Sequence, residues 1–277
     1  MILITGATGT VGSHLARRLT ARGEAVRAMS RNPGADLFPA DFDDPSSLAA
    51  AVTGVRAVFL LTAPASPTSR HDLAMLEAAR SAGVTTVVKL SAIGTGETFG
   101  DRVVGAWHQE AEQAVRSSGL SWTVLRPSSF ASNVLRFANP VHNTTGTATQ
   151  GVVDPRDVAA VAAEVLTTRG HAGRTYTLTG PDLLSLPDQA AVLESVLERP
   201  VTTVDVPLDV VREQMLRHGT PEAAVDAAVT GMAWARAGHN AVLTEDVPRI
   251  LGRPATTFAT WVRDHRDAFG PTRTVSR

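Results

Sequence analysis

The sequence has no cysteine, and its 277 residues include a single tyrosine, Tyr176, and a single lysine, Lys89. The absence of cysteine excludes disulfides, thiolate catalysis and cysteine-based metal sites. No apolar run approaches the roughly 18 residues that a membrane-spanning helix requires, so no membrane partner is expected. With a formal net charge of -1, the chain also lacks the basic surplus that favours nucleic acid as a partner.

The composition that remains is that of a globular protein with a sizeable core. Hydrophobic residues make up 43% of the chain and charged residues 19%, which suits one large domain or two closely joined ones. Met1 leads straight into an apolar run, so we expect no signal peptide and a cytoplasmic location. No set of histidine, aspartate and glutamate has the spacing of metal ligands, and no metal is expected. Apolar faces on the C-terminal helices would suit a homodimer, although the pattern does not separate an interface from a core.

The first twelve residues combine a short apolar strand, a glycine-rich turn and the start of a helix. Gly6 would permit the tight turn, Gly9 would let the backbone approach a pyrophosphate, and Gly12 would let the helix pack close to the strand. The helix N-terminus then offers free N–H groups to phosphates. We predict a dinucleotide-binding turn, with an ordinary strand-to-helix turn as the alternative. The residues assigned to it are Gly6, Thr8, Gly9, Thr10, Val11 and Gly12.

The residues that follow the second predicted strand bear on the choice of cofactor. An acidic residue there would select NAD by binding the adenosine ribose, whereas an arginine would accommodate the 2′-phosphate of NADP. This position carries Ser30 and Arg31 and no acid. We therefore predict NADP(H) in preference to NAD(H); the alternative is that Arg31 is a solvated loop residue.

Strands and helices alternate regularly, which predicts an α/β fold with a Rossmann-type, doubly wound parallel sheet. The predicted strands cover 2–4, 25–30, 37–40, 55–61, 84–90, 122–125 and 176–179, and helices are expected over 70–82, over about 101–118 and from Asp154 onwards. Ligands of such sheets bind beyond the carboxyl ends of the strands. Further cofactor contacts are therefore assigned to Asp41, Phe42, Thr62, Ala63, Pro64, Ser91 and Pro127.

The domain organisation is predicted from a change of pattern after Gly180. Residues 1–131, completed by 152–180, form the dinucleotide-binding domain. Residues 181–277 form a smaller, mainly helical substrate lobe together with the loop 132–151. Within that loop, the polar, turn-rich segment 139–151 is expected to be a loop over the rim or a mobile lid, and 271–277 are expected to be a frayed tail.

The chain resembles the NmrA-like members of the atypical short-chain dehydrogenase/reductases, which include NADPH-dependent quinone reductases and NADP-sensing regulators. The resemblance implies the nucleotide-binding domain, NADP(H) and a variable C-terminal lobe that decides the substrate. The motifs that carry it are GATGTVG (6–12), RNP (31–33), ADFDDPSSL (40–48), GVRAVFLLT (54–62), AGVTTVVKLSA (82–92), HQEAE (108–112), SGLSWTVLRPSSF (118–130) and YTLTGP (176–181).

The same resemblance shows that the usual catalytic pair is missing. Conventional members of the superfamily use Tyr-x-x-x-Lys on the helix after the fifth strand, and the only tyrosine and lysine here are far apart in the sequence. Aligned on the family glutamate, Glu112, the lysine position holds His108 and the tyrosine position holds Val104. Ser91 stands at the family's serine position.

The candidate catalytic residues are His108 and Ser91. We expect His108 to contact the nicotinamide ribose or the substrate and to be a proton source near neutral pH; the alternative is a structural pair with Glu112 one helical turn away. For Ser91 the alternative is a structural role in capping the end of a strand. Four further assignments follow from position. Phe130 and Asn133 are candidates to line the substrate side; the alternative for Phe130 is a position in the core. His71 is a weaker candidate for contact with cofactor or substrate. His14 is expected at the surface. For Asp43 and Asp44 we favour a role at the start of a helix.

Two functions fit these features. The first is NADPH-dependent hydride transfer to a small electron-poor carbonyl compound of the quinone or enone type. A general acid typically contributes about 10²–10⁴-fold in rate. Without it, the reduction of such acceptors would be slowed least, because their hydride adduct is a stabilised anion. The second is a non-catalytic NADP(H)-binding regulator that reports redox state to a protein partner.

Overall fold

The computed structural model describes residues 1–32, 34, 36–136 and 139–270; Pro33 of the RNP motif, part of the loop 132–151 and the predicted tail 271–277 lie outside them. The strands, numbered in chain order, are Ile2–Ile4 (β1), Val26–Ser30 (β2), Phe38–Pro39 (β3), Ala57–Leu60 (β4), Thr86–Leu90 (β5), Thr98–Phe99 (β6), Arg102–Val103 (β7), Ser121–Pro127 (β8), Val141–Asn143 (β9), Gln150–Gly151 (β10), Arg174–Leu178 (β11), Leu183–Leu184 (β12) and Thr203–Asp205 (β13).

Ten helices accompany these strands in the described part of the chain. They are Thr10–Ala21 (α1), Pro45–Val52 (α2), Arg70–Ser81 (α3), Ala106–Ser117 (α4), Pro155–Thr167 (α5), Leu186–Leu197 (α6), Leu208–Arg217 (α7), Glu222–Arg236 (α8), Asp246–Leu251 (α9) and Phe258–Asp264 (α10). The segments Ala131–Arg136 and Arg266–Phe269 are 3-10 helices. None of the described helices is long and apolar enough to cross a membrane.

A seven-stranded sheet with the strand order β11-β8-β5-β4-β1-β2-β3 forms the centre of the fold. Every neighbouring pair in it is parallel, which confirms the predicted doubly wound Rossmann-type sheet. β1 and β4 are buried along their whole length because helices cover both faces, and this explains why their sequences are continuous apolar runs. The carboxyl ends of the strands therefore meet at one edge, where the predicted ligand residues follow them.

The segment between β5 and α4 differs from the sequence prediction. Residues 98–103 form the antiparallel hairpin of β6 and β7, and α4 begins only at Ala106 instead of at about residue 101. Four glycines in this stretch have a positive φ, which is incompatible with a continuous right-handed helix; they are Gly94, Gly96, Gly100 and Gly105.

The C-terminal region has a core of its own but also returns to the sheet. Val134 of the first 3-10 helix, Leu193 of α6 and Trp261 of α10 share one apolar cluster. Val247 of α9 instead packs in the cluster formed by the sheet and α5. The segment 139–151, expected to be a loop, is tied down by β9, which pairs with β13, and by β10, which pairs with β12. The division of the chain into domains stays a prediction.

Candidate functional site

The glycine turn after β1 leaves no room for a side chain where Gly12 approaches Gly6. A Cβ atom on Gly12 would lie 2.2 Å from the carbonyl oxygen of Gly6, and Gly6 itself has a φ of +62°. Gly9 is the N-cap of α1 and no side chain caps the first turn, so the N–H groups at the helix start are available to a ligand. This arrangement fits the pyrophosphate of a dinucleotide.

A cleft of about 690 Å³ extends from this turn along the carboxyl ends of β1, β2 and β4. It contains most of the predicted cofactor contacts: Gly6, Thr8, Gly9, Ser30, Arg31, Asp41, Phe42, Ala63 and Pro64. Arg31 is exposed, and no carboxylate among the described residues pairs with it. Its charge is therefore available to a phosphate group at the edge of the cleft.

The far wall of the cleft contains the predicted contact Phe42 together with Asp43, Arg70 and His71. The rings of Phe42 and His71 are stacked with centroids 5.1 Å apart, which makes an aromatic wall suited to an adenine edge. Asp43 pairs with Arg70 at 2.7 Å and with His71 at 3.3 Å. Asp43 thus orders this wall instead of starting a helix, whereas Asp44 is the N-cap of α2 as predicted.

The other predicted cofactor residues lie outside this cleft. Thr10 is exposed at the start of α1, and the side chain of Val11 is buried in the core. Thr62 donates a hydrogen bond to Asp72. His108 and Pro127 line a second cavity instead.

This second cavity has a volume of about 700 Å³ and lies between the sheet edge and the C-terminal region. Its wall includes Trp107 and His108 from α4, Pro127 at the end of β8, and Met232 and Trp234 from α8. The described wall residues include one arginine, Arg136, and no aspartate or glutamate. A planar, uncharged ring system therefore meets apolar and aromatic surfaces here.

His108 is one of the titratable residues that line this second cavity, together with Arg136 and His142. Burial lowers its pKa to about 4, with the Lys89 ammonium as the next contribution, so the ring is neutral at pH 7. Its Nδ1 atom is buried without a hydrogen-bond partner in the described part of the chain. His108 can therefore donate or accept one hydrogen bond as a neutral imidazole, and its pKa of about 4 does not suit the proton source near neutral pH that we expected from the sequence.

A buried ion pair lies behind His108. Lys89 on β5 and Asp72 in the first turn of α3 have no exposed side-chain surface, and their Nζ and Oδ1 atoms are 2.9 Å apart. Thr62 donates to the other carboxylate oxygen at 2.8 Å. In the sequence Lys89 only excludes the catalytic pair, and Asp72 does not stand out, because nothing in the neighbouring residues indicates that the two side chains meet.

Ser91 belongs to a second polar network. Its hydroxyl donates to Oε1 of Glu112 at 2.6 Å, and Arg126 and Arg116 donate to the same carboxylate. Burial opposes ionisation of Glu112, but the hydrogen bonds from Arg126 and Ser91 outweigh it and lower its pKa. Since Glu112 is fully occupied by these donors, it forms no pair with His108. The single proton of Ser91 is likewise committed to Glu112 rather than to a ligand.

Of the remaining candidate site residues, one lines the second cavity and another packs in the core. Asn133 lines the cavity. Phe130 packs against the main core instead, beside its bridge to Val153. Tyr176 is buried in β11 and bonds to His171, so it is not part of either cavity. Among the described residues there is no group of three or more histidine and carboxylate side chains able to hold a metal ion.

Comparison with known proteins agrees with this architecture. A family model described as NAD(P)H-binding matches residues 6–169. A (4-alkanoyl-5-oxo-2,5-dihydrofuran-3-yl)methyl phosphate reductase of Streptomyces griseus is 38% identical over 98% of this chain and 100% of its own. An NAD(P)H azoreductase of Xenophilus azovorans is 33% identical over 98% of this chain and 99% of its own.

The chain belongs to the NmrA-like atypical short-chain dehydrogenase/reductases.

Within this family the structural similarity extends through the C-terminal region. The crystal structure of an NADPH-dependent quinone oxidoreductase from Escherichia coli superposes with a TM-score of 0.81 at 25% identity, covering 96% of this chain and all of the other. The chain is accordingly an NAD(P)H-dependent reductase that lacks the Tyr-x-x-x-Lys pair. The Gly6–Gly12 turn and the adjoining cleft fit the dinucleotide.

Proposed function

We propose that this NmrA-like protein reduces small conjugated carbonyl compounds of the quinone or enone type with NADPH as the hydride donor. The observation that carries the proposal is a substrate cavity whose titratable side chain beside the sheet edge is a neutral histidine. No tyrosine and no carboxylic acid lies among its described wall residues. An isolated ketone becomes a strongly basic alkoxide and needs an acid. A quinone or enone instead becomes a delocalised anion, for which a neutral hydrogen-bond donor is sufficient.

The chain's own residues have distinct tasks in this reaction. His108 would hold the acceptor oxygen through one hydrogen bond, and Trp107 and Trp234 would enclose the planar ring and exclude water. Ser91 and Glu112 would fix the end of β5 against α4 and so position His108. The names of the relatives support this substrate class. They include an azoreductase, a quinone oxidoreductase and a reductase of an unsaturated lactone that carries an alkanoyl group.

The acceptor assay tests this function. We expect steady NADPH oxidation, followed by absorbance, with para-quinones and with enones, and little or none with simple ketones. The His108→Ala variant is expected to lower kcat by about 100- to 1,000-fold, in keeping with the loss of one hydrogen-bond donor to a developing charge. Tight NADPH binding without turnover of any acceptor would contradict the proposal and favour the regulator.

The pH dependence of kcat separates a neutral from a cationic His108. Because its pKa is held at about 4, the ring gains no proton between pH 5.5 and 8. The profile over that range is expected to show no inflection from His108 and to have the same shape in His108→Gln. A rise in kcat on acidification with a midpoint near 6.5, abolished in His108→Gln, would show that the cation is the active form.

NADP(H) is the proposed cofactor in preference to NAD(H), and Arg31 is the residue proposed to select it. Arg31→Ala is expected to raise the KM for NADPH by about 10- to 100-fold, the value of one charge-assisted hydrogen bond to phosphate. The KM for NADH is expected to stay within about twofold, since NADH has no 2′-phosphate. Equal losses with both cofactors would assign Arg31 a structural role and remove the argument for NADPH.

A further inference from the structure

The wall of the substrate cavity contains polar atoms that the proposed reaction does not use. Two of them are buried and have no hydrogen-bond partner in the described part of the chain, the Nε2 atom of Gln189 and the hydroxyl of Thr145. Both residues line the cavity, and both are at least nine-tenths buried. Buried donors without partners are rare in folded proteins and call for a ligand or an ordered water.

Neighbouring polar residues of the same wall satisfy one another, which makes the contrast informative. Ser128 donates to Asn240 at 3.0 Å, and Asn240 donates to Gln150 at 3.0 Å. Both the carbonyl oxygen and the amide nitrogen of Asn240 therefore have a hydrogen-bond partner. Gln189, Thr145 and His108 are thus the described wall residues with a buried side-chain polar atom that has no hydrogen-bond partner, and the proposed reaction uses only His108.

Arg136 adds a full positive charge to the wall. It is the only arginine or lysine among the described cavity residues, which include no aspartate or glutamate, and no described carboxylate pairs with it. His142 lines the same cavity. The other arginines near this region are engaged: Arg236 pairs with Asp205 and Arg102 pairs with Asp226.

The segments that carry these groups pack against one another. Val134 of the 3-10 helix that ends at Arg136 shares an apolar cluster with Leu193 of α6, the helix that carries Gln189. The same helix contacts β9, the strand that carries His142 and leads to Thr145. The charge and the unpartnered donors thus belong to adjoining parts of the wall, all contributed by chain segments outside the seven-stranded sheet.

We propose that this part of the cavity binds an oxyanion substituent of the acceptor, a phosphate or a carboxylate, through Arg136, Gln189 and Thr145. The inference rests on the proposed reductase function and narrows its substrate class to anionic conjugated carbonyl compounds. An arginine fork with two neutral donors matches the planar carboxylate and the tetrahedral phosphate oxygens alike. The reacting carbonyl then lies toward His108, and the anionic group lies toward Arg136.

A set of matched acceptors tests the proposal. The probes are 2-methyl-1,4-naphthoquinone and two derivatives of it that carry a carboxylate or a phosphate ester on the same short side chain. We expect the wild-type chain to prefer one of the anionic probes over the neutral one by about 10- to 100-fold in kcat/KM. Arg136→Gln should remove that preference through KM, and Arg136→Lys should restore part of it.

The control is Arg169→Gln, which makes the same charge change at an exposed residue beyond the end of α5 and should leave the preference intact. An equal response of neutral and anionic probes to Arg136→Gln, or no preference in the wild type, would overturn the oxyanion site while the reductase function stands. The carboxylate and phosphate probes together identify which anion is bound.

Binding of inorganic phosphate to the NADP⁺-loaded full chain, measured by calorimetry, gives a readout that does not depend on turnover. We expect saturable binding that weakens at least about tenfold in Arg136→Gln and not in Arg169→Gln. If no probe is reduced, the proposed function fails, and this measurement alone then supports or overturns the oxyanion site. The occupied cofactor cleft prevents phosphate from binding at the glycine turn.

Discussion

The Gly12→Ala variant is expected to lose at least about a hundredfold in NADPH affinity and to unfold at a lower denaturant concentration than the wild type. The added Cβ would lie 2.2 Å from the oxygen and 2.8 Å from the carbon of the Gly6 carbonyl, and 2.9 Å from Cα of Ala7. All three are backbone atoms, so no side-chain rotation relieves the clash. Overpacking of this kind typically costs about 1–3 kcal/mol, and a rigid backbone on every side places Gly12 at the upper end.

The loss of affinity has a separate cause. To admit the methyl group, α1 must move away from the end of β1, and the N–H groups at its start move with it. Losing two charge-assisted hydrogen bonds to the pyrophosphate, each worth about 1.5–3 kcal/mol, costs about 3 kcal/mol at the least, which corresponds to a loss of at least about a hundredfold. Fluorescence titration with NADPH and urea unfolding measure the two effects independently.

Gly231→Ala is the matched control for NADPH affinity, because this helical glycine in α8 lines the second cavity and not the cofactor cleft, and no atom of the described residues lies within 4 Å of an added Cβ. It should leave NADPH affinity unchanged and stabilise the helix by roughly 0.5–1 kcal/mol. If Gly12→Ala bound NADPH within about threefold of the wild type, the phosphate site would not lie at this turn.

The Lys89→Met variant is expected to lower the free energy of unfolding by about 3–5 kcal/mol. Removing the ammonium leaves the Asp72 carboxylate fully buried beside an apolar chain, with the Thr62 hydroxyl as its one remaining side-chain partner among the described residues. The cost therefore comes from an uncompensated buried charge rather than from a lost attraction. Urea unfolding followed by circular dichroism measures it.

The double variant Lys89→Met, Asp72→Leu distinguishes this cause from simple damage to the core. Because both charges are then absent and the volumes are similar, most of the lost stability should return. Arg22→Gln, which breaks the exposed pair with Glu164, should cost no more than about 1 kcal/mol. If Lys89→Met were as stable as the wild type, or the double variant no more stable than the single one, the loss would not come from an uncompensated charge on Asp72.

The sequence predicted the parts of the site that are contiguous in the chain. The glycine turn between β1 and α1 and the Arg31 position after β2 follow from local patterns, because a parallel sheet brings strand ends to one edge. The capping residue Asp154 and the proline after it also mark the start of α5 correctly. These features are governed by backbone geometry within a few residues of each other, so a linear pattern is sufficient.

The hairpin before α4 could not be predicted in this way. Gly94 lies against the ring of Trp234, to which an added Cβ would approach within 2.6 Å, and Glu97 accepts a hydrogen bond from the same indole. Both contacts join the segment after β5 to α8, about half the chain away. The helical periodicity of residues 101–118 contains no information about a contact with Trp234.

The sequence by itself determined the Rossmann-type fold, the dinucleotide turn and the absence of the Tyr-x-x-x-Lys pair, because each depends on residue identity and short spacing. Only the tertiary structure decided the protonation of His108, the partner of Lys89 and the engagement of Ser91 by Glu112. These depend on burial and on charges brought together from separate strands and helices. The free energy of an ionisable or hydrogen-bonding group is set by its surroundings in space, and that information exists only once the chain has folded.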